Sequence, residues 1–238
     1  MNDAEKVKKE IGKFKNPQKA KIYQRFFKTG KGEYGEGDKF LGLTVPQMRV
    51  VAKKHKEISL KEIQKLLNIQ IHEYRLVALV ILTTKYQKAA DETAKKEIFD
   101  FYLKNTKNIN NWDLVDISAH KIVGAYLLDK TSSARLKLLF KLVKSKTLWE
   151  RRIAIIATFT FIREKQFKES LKIVEILVND DHDLIHKAVG WMLREVGKKN
   201  QVVEEKFLKK YYQTMPRTML RYAIEKFDRA KRDFYLGR

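Results

Sequence analysis

Five short, similar stretches, each ending on an alanine, recur along this chain at nearly constant intervals, and they limit its fold more tightly than any other feature. They are Tyr74-Arg75-Leu76-Val77-Ala78, Val115-Asp116-Ile117-Ser118-Ala119, Arg151-Arg152-Ile153-Ala154, Ile185-His186-Lys187-Ala188 and Leu220-Arg221-Tyr222-Ala223. Their alanines stand 41, 35, 34 and 35 residues apart. A period of this length fits two helices and their turns, as in helical-pair solenoids of the HEAT type. A small residue at the same place in each pair lets neighbouring helices approach. Between these marks apolar residues recur at three and four, as in Leu136, Leu139, Phe140 and Val143, which is the period of one helix face.

The predicted helices follow from that pattern. Asp3 to Phe14, Pro17 to Lys28 and Pro46 to His55 come first, the second with proline in its first turn. The spans 59–68, 71–88, 92–105, 111–129, 132–145, 148–164, 167–179, 182–199, 201–214 and 216–227 follow with short breaks. No stretch reads as a strand, and ten glycines and three prolines are too few for a fold rich in tight turns. The expectation is an all-α protein: one curved solenoid domain over 1–238, with a concave groove.

Charge narrows the partner. Lys and Arg total 51 against 29 Asp and Glu, a net charge of +22. That excess points to a polyanion, nucleic acid first and an acidic membrane surface second. The chain has no cysteine, so disulfides, thiolate zinc sites and a thiol nucleophile are excluded, and an intracellular, cytoplasmic protein is expected. Met1 to Lys15 is charged and lacks the apolar core of a secretory leader. The longest apolar runs, such as Ile153 to Ile162, are too short to span a bilayer.

Few residues stand out as chemistry. Thr29 to Asp38 holds four of the ten glycines, but it lacks the order of a nucleotide P-loop and follows no strand. It reads as a structured loop, with Phe40, Leu41 and Leu43 pinning its far end in the core. The stretch Asn110-Asn111-Trp112-Asp113-Leu114-Val115-Asp116 is more suggestive. Trp112 and Asp116 are four apart, so a helix sets an aromatic face beside a carboxylate. In so cationic a chain that pair suits a developing positive charge. The same spacing also suits an amphipathic helix that buries Trp112 and keeps acids in its first turn. Arg75, Arg151, Arg152, Lys187, Arg194 and Arg221 fall on second helices of successive pairs, as a basic groove for a duplex backbone would need. Trp149 and Trp191 lie on or beside the same helices. The histidines are scattered; His182 and His186 share a face without a metal-site spacing, and Asp181 or Asp183 is expected to cap their helix. A GxSxG element and a zinc-deaminase pattern are both absent.

The strings Asn-Asn-Trp-Asp-Leu-Val-Asp (110–116), Leu-Trp-Glu-Arg-Arg-Ile-Ala (148–154) and His-Lys-Ala-Val-Gly-Trp-Met-Leu-Arg-Glu (186–195) resemble the DNA alkylation repair enzymes of the AlkD type. Tyr-Gly-Glu-Gly-Asp-Lys-Phe-Leu-Gly (34–42) and Pro-Arg-Thr-Met-Leu-Arg-Tyr-Ala (216–223) extend the likeness over nearly the whole chain. The resemblance implies a monofunctional DNA glycosylase that removes N3- and N7-alkylated purines from duplex DNA, with no metal, Schiff base or other cofactor. It implies that Trp112, Asp116 and Trp191 contact the deoxyribose of the damaged nucleotide, and that Arg152 contacts DNA. Arg151, Lys187 and Arg194 join it as expected DNA-binding cations. The alanine register would set Arg151 rather than Arg152 beside the groove, and the family match favours Arg152. Asn111 stands where some relatives carry a second aromatic. A cationic purine leaves without a general acid, so Asp116 would oppose the charge growing on the sugar and orient water. Such relatives leave the damaged base largely stacked instead of flipping it. The expected partner is double-stranded DNA, no membrane is expected, and the protein is expected to act as a monomer. The alternative is a non-catalytic HEAT-like protein that binds unusual or branched DNA.

Overall fold

A computed structural model describes residues 2–237, and every named element among them is a helix. The only strand-like pairing there is an isolated parallel bridge between Lys39 and Ile71. The fold is all-α, as the repeat predicts. No helix among the described residues is long and apolar enough to cross a membrane. The chain falls into two compact units, one ending at Ile122 and the other beginning at Val123.

The first unit contains α1 (Asp3–Gly12), α2 (Pro17–Phe26), α3 (Val45–Lys54), α4 (Leu60–Leu67), α5 (His72–Lys88), α6 (Glu92–Lys104) and α7 (Trp112–Ala119). Its axis is α5, which packs against α3, α4, α6 and α7 and buries residues on every face, from His72 and Glu73 to Tyr86. A helix surrounded in this way has no polar side. Three buried residues near its N-terminus carry charge, His72, Glu73 and Arg75. Glu73 accepts hydrogen bonds from the backbone N–H groups of Leu41 (3.0 Å), Gly42 (2.7 Å) and Leu43 (3.2 Å), which fixes the exit of the glycine-rich loop. Gly42 has φ +89°, and a side chain there would run into the backbone of Asn16 and Ala20. Phe40 and Leu43 are buried as expected, while Leu41 is only half-buried.

The second unit contains α8 (Ala125–Leu128), α9 (Ser132–Val143), α10 (Leu148–Ala157), α11 (Phe159–Arg163), α12 (Lys168–Leu177), α13 (Asp183–Lys199), α14 (Gln201–Tyr211), α15 (Arg217–Ala223) and α16 (Arg229–Leu236). Here α13 is central and packs on α10, α12, α14 and α15. Gly190 makes its contact with α15 possible, because an added Cβ would sit 2.4 Å from the Met219 carbonyl oxygen.

The five marker alanines lie on α5, α7, α10, α13 and α15, and all are fully buried. The repeat therefore marks a buried position in five helices, one from each repeat. Three predicted spans were too long. The span 111–129 is interrupted by a π-turn at His120–Gly124, where Gly124 lies against the Ala157 carbonyl, a place no side chain fits. The span 148–164 breaks at buried Thr158, whose hydroxyl donates to the Ile155 carbonyl at 2.7 Å and competes with helical continuation. The span 216–227 ends in a 3-10 turn from Ile224 to Lys226. α16 had no predicted counterpart; Asp228 caps its start and Gly237, at φ +66°, ends it.

Candidate active site

The start of α7 is built by its own asparagine. The Asn111 side chain accepts from the Trp112 N–H at 2.8 Å, and its carbonyl accepts from Val115 N–H at 3.1 Å. This capping points Trp112 out of the first turn. The half-buried indole stacks on Phe27, with centroids 5.3 Å apart and planes 20° from parallel. Phe26, 61% exposed, meets the indole edge-on at 6.0 Å. One turn on, Asp116 is half-buried on the same helix. The aromatic and the carboxylate therefore sit together at the beginning of α7, and the indole is wedged rather than free to swing.

Behind this aromatic wall lies a buried charge network. His72 donates through Nδ1 to Asp38 at 3.1 Å and through Nε2 to Asp113 at 2.8 Å. Burial disfavours its charge, but the Asp113 carboxylate, with the hydrogen bonds to Asp113 and Asp38, outweighs it and raises its pKa to about 9. His72 is thus an imidazolium at neutral pH, with Phe40 stacked on one side at 4.7 Å and Phe27 nearby at 5.0 Å. Arg75 bridges Asp38 and the side chain of Asn110. Burial pushes the Asp38 carboxyl up, yet the His72 hydrogen bond and the Arg75 charge hold it below the ordinary aspartate value. Asn111 also donates to Asp38, at 3.3 Å. Two carboxylates, one imidazolium and one guanidinium leave the network neutral. It ties the glycine-rich loop, α5 and the approach to α7 into one piece.

Sequence reasoning missed this network. The residues lie 34 and 41 positions apart, and nothing local marks them as partners. Arg75 was expected along a basic groove; it is instead 4% exposed and committed to Asp38. Asp113, an apparent helix-start acid, accepts from Leu114 N–H at 2.8 Å and also neutralises His72.

In the second unit Trp191 is half-buried on α13. Its indole N–H donates to Glu195 at 3.2 Å, and Phe159 lies 5.9 Å from its ring. Apart from Arg221, which is exposed, the cations expected to bind DNA are engaged. Arg151 pairs with Asp180 at 2.7 Å, Lys187 with Asp183 at 2.7 Å, and Arg194 with Glu225. Arg152 is 4% exposed and donates to the Leu184 carbonyl, tying α10 to α13. The cap of α13 is neither Asp181 nor Asp183: the His182 ring accepts from Leu184 N–H at 3.1 Å, while Asp183 enters the helix and pairs with Lys187. Among the described residues no cluster of three or more histidine or carboxylate side chains is arranged to hold a metal ion.

The sequence model of the DNA alkylation repair enzyme family matches residues 7–227. Among solved structures, a predicted DNA alkylation repair enzyme from Enterococcus faecalis is similar, at 19% identity and a TM-score of 0.68, over 90% of this chain and 97% of that one. AlkD2 from Streptococcus mutans is similar at 17% identity and a TM-score of 0.58, over 88% of this chain and 99% of that one. Likenesses at such identities establish the fold. No curated protein matches the sequence.

Proposed function

This chain belongs to the DNA alkylation repair enzyme family, and from that premise we propose that it is a monofunctional glycosylase, acting inside the cell on cationic N3- and N7-alkylated purines in duplex DNA. The observation that carries this reading is the start of α7, where a wedged indole and a carboxylate share a surface in a protein of net charge +22. A carboxylate there lowers affinity for a phosphate backbone, so a binding module has no use for it. An enzyme that builds positive charge on a sugar does.

In this reading the bond between C1′ and the purine nitrogen breaks, and its electron pair neutralises the alkylated ring, so the base departs without protonation. Asp116 faces the oxocarbenium character that remains and takes a hydrogen bond from the water that attacks C1′. The proton lost by that water passes to the carboxylate or to solvent. The face of Trp112 favours the electron-poor sugar. Arg151, Lys187 and Arg194 are assigned to the DNA backbone, where a phosphate replaces the carboxylate each holds in the free protein; Arg152, buried against the Leu184 carbonyl, braces α10 on α13 instead.

The test is single-turnover release of N7-methylguanine from a duplex with one such lesion, with binding measured on the same duplex. Asp116→Asn keeps the shape and removes the charge. It should lose about 2 to 4 kcal/mol of transition-state stabilisation, roughly thirty- to a thousand-fold in rate, with binding retained. Equal rates for the two proteins would make this carboxylate structural. Binding without any release by the wild type would favour the non-catalytic reading.

A further inference from the structure

A second charged feature of the first unit lies against α7 and meets the network around His72 only at Asp113. A cavity of about 170 Å³ opens between α3, α5 and α7. Its lining includes Arg49, Val80, Gln87, Asp113, Ile117 and Lys121. Its volume corresponds to roughly six waters of liquid, room for a phosphate group that keeps part of its hydration. Arg49 and Lys121 differ from most of the cations discussed above. Arg75, Arg151, Lys187 and Arg194 are each paired with a carboxylate, whereas neither Arg49 nor Lys121 has such a partner among the described residues. The charge that acts on Lys121 is that of Arg49; burial and then this repulsion hold the lysine below its ordinary pKa. The one acid in the lining, Asp113, is neutralised by the His72 imidazolium at 2.8 Å.

Two like charges held together over an open cavity, with the local acid already satisfied, form a site that lacks its counterion. We propose that Arg49 and Lys121 form an oxyanion subsite that grips a backbone phosphodiester of duplex DNA beside the start of α7. Arg49 supplies a planar fork of donors and Lys121 a point charge, and both suit phosphate oxygens. The apolar floor of Val80 and Ile117 keeps competing water low. Asp113, Ile117 and Lys121 follow one another at intervals of four, next in sequence to Trp112 and Asp116. A phosphate clamped here therefore fixes the strand relative to those two side chains. The proposal rests on the reading of the chain as a duplex-binding repair enzyme and gives that reading a specific anchor.

The experiment is the salt dependence of binding to a short undamaged duplex. It compares wild type, Arg49→Ala/Lys121→Ala, the charge-keeping Arg49→Lys/Lys121→Arg, and the control Lys172→Ala/Lys206→Ala, which removes two exposed lysines from α12 and α14. Each neutralised phosphate contributes about 0.9 to the slope of log affinity against log salt, so the alanine pair, which gives up one phosphodiester, should flatten it by about 1. The charge-keeping pair should restore most of the slope, and the control should change it by less than half as much. Helical circular dichroism and melting temperature establish that each variant is folded. Equal slopes for the alanine pair and the control would overturn the subsite. A parallel calorimetric titration with inorganic phosphate separates the sources of the oxyanion. Phosphate binding lost in the alanine pair while the duplex slope stays unchanged would make this a site for the free ion and overturn the backbone assignment. The two levels fail separately. A wild type that releases no N7-methylguanine while the slope still drops by about 1 in the alanine pair sinks the glycosylase and leaves the subsite. Release by the wild type with an unchanged slope sinks the subsite alone.

Discussion

Raising the pH through 9 should loosen the first unit by a predictable amount, because its centre depends on a charged histidine. His72 lies at about 9 in the folded protein against 6.5 for the ordinary side chain, and it is only 2% exposed, so solvent screens little of the difference. At about 1.4 kcal/mol per pKa unit, the folded state gains roughly 3 kcal/mol from this group, all of it present below pH 6.5. The folded pKa is the higher one, so the contribution falls as the pH rises through 9. About 2.5 kcal/mol should remain near pH 7 and almost none near pH 10. The unfolding free energy from urea titration measures this. It should be measured in a Glu204→Gln background, because Glu204 also loses folded-state stability with rising pH. In that background His72→Gln should abolish most of the decline between pH 7 and 10. Its own cost at pH 7 should be about 3 to 5 kcal/mol, because Asp38 and Asp113 lose the cation between them. Titration of the imidazole resonances checks the cause directly and needs no variant. Among the five histidines, His72 should titrate near 9 while His55 and His182, whose charged forms burial disfavours, titrate below the ordinary value. A His72 midpoint near 6.5 would refute the account, whatever the variants do.

Two further outcomes follow from packing. Glu204 is 1% exposed on α14, one of its carboxyl oxygens has no hydrogen-bond partner, and burial followed by the neighbouring Glu205 pushes its pKa up to about 9. Its raised pKa favours the folded state below about pH 4.5 and is a growing liability above it, so Glu204→Gln should stabilise the protein by on the order of 2 kcal/mol at pH 8 and much less near pH 4. Denaturation at the two pH values would expose an error if the gain were absent or equal at both. Gly190→Ala should cost about 1 to 3 kcal/mol, because the new methyl lies 2.4 Å from the Met219 carbonyl oxygen and 2.5 Å from Tyr222 Cβ. An unchanged melting temperature would mean that α13 and α15 have slack there.

The periodic part of this protein was legible in its sequence. Spacing is local, and burial of one helix face imposes the same three-and-four pattern wherever it occurs, so the second helices and their five buried alanines could be placed without coordinates. Trp112 and Asp116 were legible for the same reason, since four residues of helix fix their relation. What lies between helices was not. The Asp38–His72–Asp113 bridge joins a loop, α5 and the first turn of α7, and its members carry no mark of one another in the chain. Charge was the least readable property. A lysine or arginine in a repeat looks the same whether it meets solvent, a carboxylate or a carbonyl. Tertiary packing turned Arg75 and Arg152 inward and gave Arg151, Lys187 and Arg194 acidic neighbours. It left Arg49 and Lys121 facing a cavity together. Helical periodicity determines which face is buried, but only the assembled fold decides which buried or bordering charges find a partner, because that partner comes from another element.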